Sequence, residues 1–382
     1  MGQVFLLLFG SSILAYIYQQ NAVVVQSKKI RKRNRKSSNF LGVFCYVGLV
    51  ITLILFSGLR TRFNDTSLYI ASFLLNVEGT FEAIKNINTE LGSNPGFQLY
   101  QIFIKIIFGN NEVWFLTISA FIAVVSFLSF YRKYSKDFML SIFFFIGSTL
   151  YFFTMAAQKQ VLAMAIGIWV LPLTIEKKWI KAAIVLLLAI TFHPYVFTYI
   201  AIPFLLGKVW SIRSTILIVA AVVVGTYMER FVPYALEATE YIGDIYTYEE
   251  LTGGEGLNIY RLIFFLVTPI LSLVFKNKIN DNNDDKIFKC CVNLSLVSTG
   301  FLIIASFGGA NFFGRLANYF EVFNYIALPG IITTCFDERL KGFVKAGSMA
   351  AHSFFMYTYF SKYGTSLTVE YFGHQSITAL FK

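Results

Sequence analysis

The chain has 382 residues, of which 56% are apolar, 18% aromatic and only 14% charged, with a net charge of +11. That balance excludes an ordinary soluble domain and a disordered chain, and predicts an integral membrane protein. It gives no nucleic-acid footprint either, because the basic residues fall in separate short runs and form no single stripe with a recognisable binding motif.

About 20 apolar residues make one helical span of a roughly 30 Å hydrocarbon core. Runs of that kind predict an all-α polytopic membrane protein of one domain, residues 1–382, with about twelve crossings. The first predicted span, 4–24, has no basic residue before it and is followed by "KKIRKRNRK" at 28–36. Short cytoplasmic loops retain Lys and Arg, so it reads as an uncleaved anchor with its N-terminus outside. Span 40–57 returns the chain to the outer side, where 59–96 is predicted as an extracytoplasmic loop. Spans 112–131, 138–154, 160–175, 179–192, 194–206 and 213–228 follow. A second outer loop, 229–258, precedes spans 259–275, 289–306, 318–335 and 343–360. This alternation puts 22 of the 32 Lys and Arg inside and both termini outside. Cys45, Cys290, Cys291 and Cys335 fall near inner span ends, which suits packing residues and not an outer disulfide framework.

The chemistry is to be sought among the ten basic residues left on the outer side, which topology does not require. In "SGLRTRFNDTSLY", residues 57–69, an extended chain after Gly58 would point Arg60 and Arg62 to one side. Two guanidinium forks aimed together suit a pyrophosphate; the other reading is that both snorkel to lipid phosphates. Asp65 stands directly before "TSLYIASFLL", the position of a helix N-cap, and is equally a candidate general base. Lys159 in "MAAQKQ" would sit at the mouth of a short span, where a cation should face a cavity or an anion. The spans either side of His193 have 14 and 13 residues, roughly 20 Å each at 1.5 Å per residue. Pro194 disfavours helix at His193, so "FHP" is predicted as a turn sunk into the outer half of the membrane. Arg315, Asn318, Glu321 and Asn324 recur every three residues as a stripe facing the interior, either toward a ligand or with Arg315 and Glu321 paired internally. The outer loop 229–258 mixes Glu229, Glu237, Glu240, Asp244, Glu249, Glu250 and Glu255 with aromatic residues, which suits a sugar chain or a solvated loop. His352 and His374 read as structural. No phosphate-binding, zinc-protease or serine-hydrolase motif is present, and three histidines are too few and too scattered for a metal site. No metal and no cofactor are expected.

In their order, "GLRTRFND", "NPGFQLY", "QKQVLAMAIG", "ITFHPYVF" and "GRLANYFE" resemble the EpsG-like group of Wzy-type polymerases, which build O-antigen, capsule and exopolysaccharide chains. The resemblance covers residues 55–330. It matches Arg60 or Arg62 with Asp65, Lys159 with Gln160, Phe192 with His193, and Arg315 with Tyr319 and Phe320 to the family's motifs. Lys159 stands where the family usually has Arg, and Asn94 where an acid is common before Pro-Gly. The resemblance implies a metal-independent glycosyltransferase with a GT-C-like helical fold at the outer face of the bacterial cytoplasmic membrane. Its substrates would be undecaprenyl-pyrophosphate-linked oligosaccharide and the growing lipid-linked polysaccharide. Membrane lipids, a chain-length regulator and a flippase are the further partners implied. Arg60, Arg62, Lys159, Gln160, Arg315 and Tyr319 would then bind substrate, and Asp65 and His193 would be the candidate bases.

Two other classes use a cationic membrane cavity. A lipid-linked oligosaccharide flippase or transporter would also need many helices, but the sequence shows no internal repeat and its polar residues gather toward one side. A membrane acyltransferase would rest on His193 alone.

Overall fold

The computed structural model describes residues 1–25, 35–242, 247–252, 256–281, 285–363 and 370–371. Most of the basic run at 28–36, together with Asp244, Glu255, His374 and Lys382, lies outside the described residues. The chain is built mainly of helices and divides into two compact units, each assembled from separated stretches. One comprises Met1–Leu75, Asn110–Ala157 and Glu338–Lys382; the other comprises Asn76–Gly109 and Gln158–Asp337.

The protein is a multi-pass membrane protein. Among the described residues five helices are long and apolar enough to cross a membrane: Gly2–Gln20, Phe40–Gly58, Glu112–Tyr134, Gln158–Ile175 and Lys286–Phe307. Two bent pairs raise the number to seven: Phe138–Gly147 with Leu150–Ala156, and Ile212–Thr226 with Met228–Ile242. The other predicted crossings fall on shorter helices, such as Trp179–Phe192, Pro194–Leu205 and Ile259–Val274, or on Glu338–Tyr363, 26 residues long and rich in polar side chains.

In the first unit the helix ends are set by local side chains. Asn39 accepts from the Gly42 amide at 2.9 Å, and Asn111 from the Val113 and Trp114 amides. Asp137 accepts from the Leu140 amide and receives Lys345 at 2.5 Å. Each satisfies amides that the first turn leaves unbonded. The predicted span 138–154 is a bent pair, turning by 54° where Thr149 takes a left-handed conformation (φ 71°). Tyr151 donates to the Leu53 carbonyl, and His352 is buried, stacked 4.0 Å from Phe144 with Nδ1 against the Ser348 carbonyl. His352 is thus a packing residue.

In the second unit Lys286–Phe307 is buried along its length and packs against Ile212–Thr226, Ile259–Val274, Ala310–Glu321 and Asn324–Cys335. Residues 229–258, predicted as a loop, begin instead within the helix Met228–Ile242, which leaves Ile212–Thr226 at 102°. Close approaches at glycine join other elements. A Cβ on Gly96 would collide with Thr191, and one on Gly167 would lie 2.9 Å from Val196.

Candidate functional site

The second unit brings five of the predicted site residues together. The helix Trp179–Phe192 stops where Pro194 holds His193 in extended backbone (φ −158°, ψ 118°), and the chain continues as the tighter 3-10 helix Pro194–Leu205. His193 is half-buried. Its Nδ1 lies 2.7 Å from the Tyr319 hydroxyl, while Nε2 has no hydrogen-bond partner among the described residues. Tyr319 is buried on Ala310–Glu321, and its backbone carbonyl accepts the Tyr199 hydroxyl at 2.5 Å. The two tyrosine rings meet edge to face. The imidazole is therefore held from one side and open at its other nitrogen.

Lys159 and Arg315 are the cations whose fields reach this imidazole. The half-buried Lys159 lies in the first turn of Gln158–Gly167, its ammonium 5.7 Å from the centre of the Phe97 ring. Arg315 is exposed and makes no ion pair among the described residues. Gln160 is buried and spends its Nε2 on the Arg315 carbonyl at 2.7 Å, tying the helix of Lys159 to the helix of Arg315 and Tyr319. The predicted Arg315–Glu321 pair does not form. Buried Glu321 accepts from the Tyr325 hydroxyl, and its nearest cation is Arg261 at 3.9 Å, which also donates to Asn318 at 3.2 Å.

The first unit holds Arg60, Arg62 and Asp65. Arg60–Arg62 is extended, as the sequence predicts, and pairs antiparallel with Glu370–Tyr371. The two guanidinium groups do not act alike, however: Arg60 is 1% exposed and Arg62 is exposed. Arg60 donates to the Met155 carbonyl at 2.7 Å, to Thr66 Oγ1 at 2.9 Å and to the Ser57 carbonyl. Those acceptors fill its fork, so a paired grip with Arg62 on one ligand is corrected to a buried clamp and an exposed cation. Asp65 occupies the cap position of Thr66–Ala71, yet its side chain makes no capping hydrogen bond. Its ψ of 6° differs from the extended backbone that lets a cap side chain reach the N2 or N3 amide.

Tyr199 is the contributor that sequence reading missed. It lies six residues after His193, two turns of a 3-10 helix and therefore on one side, whereas an α-helical period would rotate it away. Among the described residues no three His, Cys, Asp or Glu side chains gather as metal ligands.

Within the second unit the assembled features are a cationic pair and an oriented imidazole with one open nitrogen. Compared with protein families, the chain matches the EpsG family over residues 43–374. No curated protein and no solved structure matches it.

Proposed function

Because the chain belongs to the EpsG family, a Wzy-like family of polysaccharide polymerases, we propose that it joins undecaprenyl-pyrophosphate-linked repeat units at the outer face of the bacterial cytoplasmic membrane. In this reading the fold is GT-C-like with about twelve crossings, the shorter apolar helices completing the set.

The chemistry is displacement at a sugar carbon. The acceptor hydroxyl oxygen attacks the anomeric carbon of the growing chain, the bond from that carbon to the pyrophosphate oxygen breaks, and the lipid pyrophosphate leaves. The hydroxyl proton passes to His193 Nε2. Lys159 and Arg315 offset the negative charge that develops on the leaving group; a charge pair at 4 Å is worth roughly 4 kcal/mol at an effective dielectric of 20. Tyr319 orients the imidazole, and Gln160 positions Arg315 through its carbonyl. The family resemblance makes Arg62 a further candidate to bind substrate and Asp65 the second candidate base, while Arg60 holds their segment in place. Repeat units must reach the outer face before they can react, which calls for a flippase, and the length of the product calls for a regulator of chain growth.

The observation that carries the reading is His193 held by Tyr319, on the helix that also bears Arg315, with Gln160, the neighbour of Lys159, bonded to the Arg315 carbonyl. It is tested by the glycan profile of a deletion strain complemented with wild-type protein or with His193→Gln. Single unpolymerised repeats are expected from the empty strain and from the variant, with full-length chains from wild type. Loss of all repeats from the outer face in the empty strain would identify a flippase instead.

A further inference from the structure

Five buried amide side chains of the second unit, Asn94, Gln101, Gln158, Asn293 and Asn324, have polar atoms with no protein partner among the described residues, and the first three flank Lys159 and Phe97 in sequence. Gln158, 2% exposed, leaves both Oε1 and Nε2 unbonded; Gln101, 4% exposed, leaves Nε2; Asn94, 7% exposed, leaves Oδ1. A buried amide without a partner is costly, so such groups are normally satisfied by something. The contrast with Gln160 is direct, since that amide, two residues along the same helix, is bonded to the Arg315 carbonyl.

The three sit on two elements that meet where the Lys159 ammonium lies over the Phe97 ring. Asn94 occupies the cap position of Pro95–Phe108 without a side-chain capping bond, and Phe97 and Gln101, four residues apart, share one helical face. The Lys159 ammonium lies over the Phe97 ring, and Gln158 is its chain neighbour, opening the helix Gln158–Gly167. The unbonded atoms of the three number two acceptors and two donors. A phosphate group only accepts, so a site built for the diphosphate would carry donors alone. Sugar hydroxyls both donate and accept, which matches the acceptors and donors that these amides leave unbonded. The sugar to be recognised is bonded directly to the diphosphate that Lys159 would hold.

We propose that Asn94, Gln101 and Gln158 form the sugar-recognising subsite, taking hydroxyl groups of the repeat unit next to the pyrophosphate. The proposal rests on the polymerase reading for its substrate. Removing Gln158 takes away a donor and an acceptor from bound sugar, and removing Gln101 one donor, while each relieves an unsatisfied group in the empty protein.

The test uses full-length protein, purified in detergent and reconstituted in vesicles, with Gln158→Met and Gln101→Met on the two elements. The probes are lipid-linked repeat units extracted from a strain lacking the enzyme, the free oligosaccharide released from them by mild acid, and inorganic pyrophosphate. Each variant is expected to melt no lower than wild type, to bind free oligosaccharide at least tenfold more weakly and to raise KM for the lipid-linked unit. Inhibition by pyrophosphate should stay within twofold. Unchanged oligosaccharide binding in both variants would mean the amides hold ordered water, and equal losses toward oligosaccharide and pyrophosphate would mean a general defect; either overturns the subsite. Wild-type protein that binds oligosaccharide tenfold better than the variants but does not polymerise would leave the subsite standing and remove the polymerase reading.

Discussion

Arg60 and Arg62 show how two identical side chains, two residues apart, come to different work. An extended chain sends alternate residues to one face, but a three-residue strand does not hold that alternation against a stronger local demand. Arg60 follows the end of Phe40–Gly58, where carbonyls lack helical partners, and its fork takes the Ser57 carbonyl together with Thr66 and Met155. Arg60→Lys is expected to lower stability by about 1–3 kcal/mol, because one ammonium cannot reach all the buried acceptors. Arg62→Lys should leave it unchanged, and melting of the purified variants checks both. Asp65 makes no capping bond, so Asp65→Asn and Asp65→Ser should change stability by no more than about 0.5 kcal/mol. A switch to single repeats in both variants, at normal protein levels, would assign Asp65 the proton; normal chain lengths would leave it to His193.

At the scale of elements, the site depends on a change of helical period. His193 ends an α-helix and opens a 3-10 helix of 12 residues, unusually long for that geometry. The tighter winding brings Tyr199 beneath Tyr319, which in turn holds the imidazole. Gly167 lets that helix approach: a Cβ there would lie 2.9 Å from Val196 Cγ2 and 3.0 Å from the Tyr199 ring. Gly167→Ala should therefore cost about 1–3 kcal/mol by overpacking and shorten the polymer by displacing Tyr199. Gly2→Ala, which meets nothing within 4 Å, is the control. Chain-length profiles and melting temperatures on the same preparations give the comparison.

At the scale of the whole molecule, the loop charges predict a direction across the membrane. In a variant lacking the four native cysteines, single cysteines at Tyr234 or Glu237 should react with a membrane-impermeant maleimide in intact spheroplasts, and one at Lys133 only after permeabilisation. The reverse pattern would put the proposed outer loop 229–258 in the cytoplasm. A separate expectation concerns Lys159. Arg restores the residue usual in the family, so Lys159→Arg should keep polymer length near wild type, whereas Lys159→Met should shorten it severely.

Much of this protein can be read along the chain because a bilayer restricts what a segment can be. A stretch with its backbone bonds closed internally and its side chains apolar is a helix, and the EpsG family match runs across such segments, over residues 43–374. The break at His193 is equally local, since Pro194 acts on the residue before it. Other features arise only when distant segments meet. Arg60 is buried because Met155 comes to it from 95 residues away. Glu321 takes Arg261 and Tyr325 in place of Arg315 because Ile259–Val274 packs within the same unit. The division into two units built of interleaved stretches leaves no mark in hydropathy, which reports how each residue meets solvent or lipid and carries no record of which helix becomes its neighbour. Composition and local sterics decided where helices form and stop; packing decided which charged side chains are buried against the protein, as Arg60 and Glu321 are, and which stay exposed, as Arg62 and Arg315 do.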